Sequence, residues 1–448
     1  MQKRHSLLGG AVVCALAIVV AMAPSLSKAQ TQSVNQEIEA LRGMVGDLLQ
    51  RIEELERQQQ QTQEEVEKTA QEVVKTAEEV EKAVAEAPRV EPSRKPPVRL
   101  EISGRINQAY LFADNGNDSQ SFVIDNDNSG SRFGFRGEAD IGETTAGAYL
   151  ELGFEVNTTD EISFGNDGPV GDEAGESDFL DVRHAEWYLE NENYGTFWLG
   201  FGNIATENVS EVDLSGTGCC FSESDVDDLA GGLEFETGQE IDTFFSNLDG
   251  NRTSRIRYDS PRFAGFQVAV AGRQENERIE PDASINYAAE VADWRGEIAG
   301  GWRPSQDANT IDENSDTFHG SASVLAPFGL NLTAAGGVET FEDNTEDELF
   351  FFGKVGWRGK LFSIGETRVS LDYFYGEDVT NAFGDAANNF SDPVEAHSIG
   401  GGVVQVVSNL STEFYIGARS YWIELPAAAN QDDPDSLIAI TSGARVRF

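Results

Sequence analysis

Ser131-Arg132-Phe133-Gly134-Phe135-Arg136-Gly137-Glu138-Ala139-Asp140-Ile141 is followed, after the short turn Gly142 to Thr144, by a run ending Ala148-Tyr149-Leu150-Glu151-Leu152-Gly153-Phe154-Glu155-Val156. Phe133, Phe135, Ala139 and Ile141 alternate with Arg132, Arg136, Glu138 and Asp140. In the second run Ala148, Leu150, Leu152, Phe154 and Val156 alternate with Tyr149, Glu151 and Glu155. Side chains of a β-strand point to opposite faces in turn, so a period of two marks a strand with one apolar and one wet face. Upstream, Leu100, Ile102, Ile106, Tyr110 and Phe112 share a face opposite Glu101, Ser103, Arg105 and Asn107. The pattern repeats to the last residue, where Ile438, Ile440, Ala444, Val446 and Phe448 share a face.

Sixteen such segments are expected, beginning near residues 98, 131, 145, 179, 195, 252, 264, 284, 295, 316, 329, 347, 366, 395, 411 and 436. The connections after odd-numbered strands are long and rich in Asp, Asn, Gly and Ser: 114–130, 158–178, 204–251, 274–283, 304–315, 377–394 and 425–435, with 342–346 as a short exception. Those after even-numbered strands are short, as at Asn191 to Tyr194, Ser260 to Arg262 and Pro327-Phe328. Long external loops, short periplasmic turns and an even strand count describe a transmembrane barrel. A soluble β-sandwich also alternates, but it would have to explain sixteen paired segments in one array with aromatic residues on their outward faces.

The N-terminus fits export. Lys3 and Arg4 precede an apolar run, Leu7 to Ala23, ending near Ser27-Lys28-Ala29, which reads as a signal peptide over 1–29 cleaved before Gln30. Cys14 lies within the removed segment in a poor lipidation context. From residue 30 to 87 the period is heptad: Ile38, Leu41, Val45, Leu48, Ile52 and Leu55 alternate steps of three and four, and the frame runs on through Val66, Val73 and Val80. A coiled coil of about 50 residues, roughly 75 Å long, is expected there. Ile and Val at one core position with Leu at the other ordinarily favour two strands. Pro88, Pro92, Pro96 and Pro97 then make a stiff linker over 88–97, and the barrel occupies 98–448.

The chain has 78 acidic against 32 basic residues, a net charge of -46, which excludes nucleic acid as a partner because phosphate would be repelled. No stretch after residue 30 offers the roughly 20 apolar residues of a membrane helix. Catalytic signals are absent: no phosphate-binding glycine loop, no nucleophile elbow, and His184, His319 and His397 without a Cys or second His at metal-ligand spacing. No enzyme and no cofactor are therefore expected. Asp125-Asn126-Asp127-Asn128-Ser129-Gly130 begins like a calcium loop, but its twelfth position is Arg136 rather than Glu. Loosely bound Ca²⁺ or Mg²⁺ at the acidic external loops, bridging to lipopolysaccharide phosphate, is the ion binding the sequence allows. Cys219-Cys220 leaves three readings open: a vicinal disulfide, a link between protomers, or free thiols.

Several stretches resemble the Gram-negative general porins, the sixteen-stranded trimeric class. They are Ser131 to Glu138, then Ser254-Arg255-Ile256-Arg257-Tyr258-Asp259-Ser260-Pro261 with Phe263-Ala264-Gly265-Phe266, and more weakly Arg183-His184-Ala185-Glu186 and Phe448. The resemblance implies an outer-membrane homotrimer of water-filled pores for small hydrophilic solutes, each narrowed by an inward-folded third external loop, here 204–251. The Pro-Glu-Phe-Gly-Gly stretch of the enterobacterial constriction loop is absent, so no constriction residue is carried over from it. The N-terminal extension is similar to that of DcaP-type porins and of periplasm-spanning tether porins.

Within that frame Arg105, Arg132, Arg136, Arg255 and Arg257 fall on the inward face, since an arginine facing lipid at mid-height costs about 2 to 4 kcal/mol. Loop 204–251 carries Glu207, Glu211, Asp213, Glu223, Asp225, Asp227 and Asp228 with no base. Acids facing an arginine wall would filter solutes by size and charge. The plainer alternative ties the arginines to Glu101, Glu138 and Asp259 in wall salt bridges and leaves the acids as a solvated surface. A second function, a structural tether whose coiled coil reaches peptidoglycan, would make the barrel an anchor. An adhesin or autotransporter fits less well, because the extension precedes the barrel and ends in the periplasm.

Overall fold

The computed structural model describes residues 98–154, 157–165, 180–275, 278–305, 314–341, 347–378, 393–426 and 432–448. The expected signal peptide, coiled coil and proline-rich linker lie outside them. Among the described residues the chain forms one antiparallel sheet closed on itself. Its strands are β1 (Arg99–Asp114), β2 (Ser119–Asp125), β3 (Arg132–Ile141), β4 (Thr144–Phe154), β5 (Leu180–Asn191), β6 (Gly195–Asn203), β7 (Arg252–Asp259), β8 (Phe266–Glu275) and β9 (Arg278–Val291). They continue with β10 (Trp294–Ser305), β11 (Ser315–Leu325), β12 (Leu330–Phe341), β13 (Glu348–Phe362), β14 (Gly365–Asp378), β15 (Val394–Val407), β16 (Thr412–Glu424) and β17 (Leu437–Arg447).

These seventeen segments fill sixteen places in the wall, because β2 and β3 lie end to end beside β1. The upper half of β1 pairs with β2, from Asp114↔Ser119 to Gln108↔Asp125, and its lower half pairs with β3, from Arg105↔Arg132 to Arg99↔Glu138. The other edge of β1 meets β17 from Arg105↔Arg447 to Asp114↔Ile438, which closes the barrel. Closure leaves no strand edge unpaired in lipid. The last residue seals it: Phe448 and Gly104 exchange backbone hydrogen bonds of 2.9 and 3.0 Å, and the Phe448 ring lies where a Cβ on residue 104 would be.

Two expected loops are shorter than the sequence suggested. Residues 114–130 were expected as one external loop, yet Ser119–Asp125 returns as strand after a four-residue turn. There Asn115 Oδ1 accepts from the amides of Asn117 and Asp118, and Gly116 takes φ +89°. The polar dress of this segment hides its pairing. Likewise 274–283 shrinks, because β9 already begins at Arg278, and that arginine lies on a strand rather than in a loop.

Alternation sorts the faces as expected on the outside. Leu150, Trp187, Ile256, Phe266, Ile285, Phe318, Leu332, Phe351, Leu371, Phe414 and Ile440 are all exposed on the outer surface, an apolar band suited to acyl chains. Tyr194, Phe263, Trp294 and Phe328 mark the rim of the short turns, where amphipathic and aromatic rings sit at the headgroup level. No helix among the described residues is long and apolar enough to cross a membrane, which bears only on helices. The inner face departs from the simple picture, for Leu111, Ile124, Phe350, Phe352, Phe374, Tyr421 and Ala439 point inward and are buried. The third loop covers them.

Candidate functional site: the pore and its third loop

The 48-odd residues between β6 and β7, roughly 204 to 251, turn into the barrel and follow its inner wall. A loop inside a lumen must still satisfy its backbone polar groups. Inward-facing hydroxyls and cations of the wall do this in sequence order. Thr206 N donates to Asp282 Oδ1 at 3.0 Å on β9. Ser210 Oγ meets His319 Nδ1 at 2.8 Å, Val212 N donates to Ser321 Oγ at 2.9 Å and Leu214 N to Ser323 Oγ at 3.0 Å, so alternate loop residues step along alternate residues of β11. Further round, Arg368 donates to Gly216 O at 3.0 Å, Lys354 Nζ to Ser222 O at 2.6 Å, Arg419 to Phe221 O at 3.1 Å and Tyr421 Oη to Val226 O at 2.6 Å. The loop is therefore stitched from β9 to β16.

Apolar packing fixes the same path. Phe221 lies over Gly402 and Gly417, where a Cβ would come within 2.9 and 2.5 Å of its ring. Only glycine allows that approach. Phe245 packs on Phe374 and Tyr421 with ring centroids 5.7 and 5.1 Å apart, and Val226, Leu229, Leu233, Phe235, Ile241 and Phe244 complete a core shared with the apolar inner wall. Burying each large side chain contributes about 1.5 to 3 kcal/mol. Cys219 and Cys220 are joined as a vicinal disulfide within this turn, and Cys220 O accepts from Asn126 Nδ2 at 2.8 Å.

Charges of both signs meet in the lumen. On the wall Arg105, Arg132, Arg183 and Arg252 lie close enough to feel one another's fields. Glu151 bridges two of them, 3.3 Å from Arg132 and 3.2 Å from Arg183. Arg183 reaches this group because the β4–β5 register shifts between Glu151 and Leu152, leaving it unmatched in the ladder. Loop acids reach this group: Glu207 pairs with Arg252 at 2.8 Å, Glu223 acts electrostatically on Arg105, and Glu211 on Arg252.

The loop acids crowd. Burial, and after it the charge of Asp225, pushes Glu211 up to about 7. Burial and neighbouring carboxylates also raise Glu223, Asp227, Asp228 and Asp249 well above the usual carboxylate range, and burial raises Asp225 and Glu207. Three oxygens of this group, Glu207 Oε2, Asp227 Oδ1 and Asp249 Oδ2, have no hydrogen-bond partner among the described residues. Asp213 is the exception. Burial opposes its charge, but Lys354 at 3.0 Å and the amide and hydroxyl of Ser215 hold it below the ordinary value.

The five arginines singled out from sequence divide. Arg105 and Arg132 face the lumen beside Gly130, each donating to its carbonyl. Arg136 stacks over the Tyr149 ring at 4.8 Å. Arg255 is buried, ion-paired with Glu186 and donating to the carbonyls of Asn203 and Gly200. Arg257 pairs with Asp259 at 2.9 Å and donates to Ile204 O at 2.6 Å, so both pin the root of the loop. Arg183, Arg252, Lys354 and Arg419 were not singled out: alternation places Lys354 and Arg419 on the inward face, whereas Arg183 reaches it through the register shift and Arg252 shares the parity of the outward Ile256 and Tyr258. The calcium-like run is spent on local structure: Asp125 accepts from Ser131 N and Gln108, and Asp127 from Thr159 N at 2.7 Å.

A closed antiparallel barrel with an apolar outer band, a polar and charged lumen and an inward loop defines a β-barrel membrane channel. The family model for Gram-negative porins matches residues 82–436, most of the chain, and the protein belongs to that family. Its fold matches solved porins: the anion-selective porin of Comamonas acidovorans (14% identity, TM-score 0.53, covering 79% of this chain and 100% of that one), OmpF of Salmonella typhi (11%, 0.51, 78% and 97%) and OprB of Pseudomonas putida (10%, 0.51, 78% and 94%). At such identities the likeness shows the fold alone. No curated protein sequence matches significantly. Family and fold make this chain an outer-membrane channel.

Proposed function

We propose that the channel passes ions and small hydrophilic solutes down their gradients through a filter between Arg105, Arg132, Arg183 and Arg252 on the wall and Glu207, Glu211 and Glu223 on the loop. The observation that supports this reading is that wall arginines and loop acids come within reach of one another inside the barrel, Glu207 paired with Arg252 and Glu223 acting on Arg105. A transverse field orients dipolar solutes and lets size and charge be read together. Acids outnumber bases along the loop, so the expected ion preference is modest and cationic. The working unit is a homotrimer in the outer membrane, in contact with lipid and lipopolysaccharide, its coiled coil in the periplasm. The trimer follows the general-porin resemblance, and the net charge of -46 calls for divalent cations between the acidic loops and lipopolysaccharide phosphate.

Liposome swelling with neutral sugars of increasing size tests the filter. Wild-type protein should admit monosaccharides and slow sharply with larger oligosaccharides. A variant lacking residues 210–245 should lose that cut-off. Equal cut-offs in both would remove the loop from the filter.

A further inference from the structure

On the outer face of the barrel, at the end where the long loops emerge, β14, β15 and β16 bring together a group that the channel does not use. Glu395 and His397 alternate with the buried Val394, Ala396 and Ser398, so they point away from the lumen. Cross-strand register sets Tyr375, His397 and Trp422 in one row and Glu377, Glu395 and Glu424 in the next. Like charges directly opposite on adjacent strands are destabilising unless a cation joins them.

His397 is held rigidly over this row. Its ring stacks on Trp422, 5.2 Å between centroids and 8° from parallel, with Tyr375 beside it at 5.2 Å. Tyr373 Oη lies 2.8 Å from Nδ1. Nε2 is shielded from solvent and lacks a hydrogen-bond partner among the described residues, yet it lies 3.8 Å from Glu395 Oε2 and 3.7 Å from Glu424 Oε1. These separations are too long for hydrogen bonds. They suit an ion between the three: ligands about 2.0 to 2.1 Å from a tetrahedral metal stand about 3.4 Å from each other. It is the one group of three His, Cys, Asp or Glu ligand atoms gathered this closely among the described residues.

We propose that Glu395, His397 and Glu424 bind a divalent transition-metal ion of the Zn²⁺ class, with water in the fourth position. Imidazole nitrogen selects such ions over Mg²⁺ and Ca²⁺, which prefer oxygen. With Nδ1–H donating to Tyr373, Nε2 presents its lone pair to the ion, the arrangement in which an outer hydrogen bond orients a metal-bound imidazole. The ion would neutralise the carboxylate row and brace β15 to β16 beside the last two external loops. Sequence spacing alone conceals the site, since Glu424 lies far along the chain from His397.

The test is calorimetric titration of Zn²⁺ into the full-length protein, refolded in detergent and stripped with chelator, in millimolar Mg²⁺. One site per chain is expected. H397A should abolish it, E424Q should weaken it at least about tenfold, and Y373F should weaken it by about tenfold through the outer hydrogen bond. Heat-modifiable migration on gels confirms that each variant keeps its barrel, and E424Q preserves shape should H397A fail to fold. Unchanged binding in both H397A and E424Q, displacement of Zn²⁺ by Mg²⁺ at equal concentration, or no binding by the wild type would overturn the proposal.

Discussion

Glu211, a loop acid that titrates near neutrality, makes ion preference depend on pH in a definite direction. Glu211 is pushed up to about 7, so between pH 8 and pH 6 it passes from mostly ionised to mostly protonated. The wall arginines stay charged throughout this range. An ion passing about 6 Å from one unit charge in water gains or loses about 0.7 kcal/mol, which changes local cation occupancy about threefold and anion occupancy oppositely. Reversal potentials of the reconstituted channel in a salt gradient should therefore shift towards anions as pH falls, with a midpoint near 7. E211Q should remove that component and leave the barrel's heat resistance unchanged. A flat profile between pH 6 and 8, or a full shift retained in E211Q, would refute the claim that this acid lines the conducting path.

The crowded loop acids set the loop's own stability. Their folded values are raised, so the folded loop holds more protons than the unfolded chain, and its anchoring is fully present at low pH and weakens as pH rises through the raised values. Open-channel noise should grow from about pH 5 to pH 8. F221A removes the ring seated over Gly402 and Gly417 and should cost about 3 to 5 kcal/mol of loop packing, read as larger, noisier conductance from an intact barrel. Arginines of the two kinds should part company. R252A removes a partly exposed cation and should raise cation preference at a smaller cost in stability than R255A, which takes a fully buried guanidinium from Glu186 and should cost about 3 to 5 kcal/mol in urea unfolding with a smaller change in selectivity.

Period-two alternation made the wall legible because lipid outside and water inside impose opposite chemistry on successive residues. Expected starts at 195, 252, 295, 316, 329 and 366 lie within a residue or two of β6, β7, β10, β11, β12 and β14. Where both faces are alike the signal fades. Ser119–Asp125 is polar enough to pass for loop, and around Phe350, Phe352 and Phe374 both faces are apolar because the loop covers the inner one. The sequence also placed Arg105 and Arg255 on the same inward face, and of the wall partners it offered, Asp259 pairs with Arg257 while neither Arg105 nor Arg255 takes one. Glu186 and the loop-root carbonyls claim Arg255, while Arg105 lies within reach of Glu223. Such differences depend on long-range register, as does the meeting of His397 with Glu424 across β15 and β16.

The most direct test of the account is single-channel recording of the purified full-length protein in a planar bilayer under a salt gradient. Stepwise openings in threes with a modest cation preference that R252A strengthens are the expected result. A protein that inserts without conducting, or conducts with a preference indifferent to R252A and E211Q, would contradict the channel with a charged filter described here.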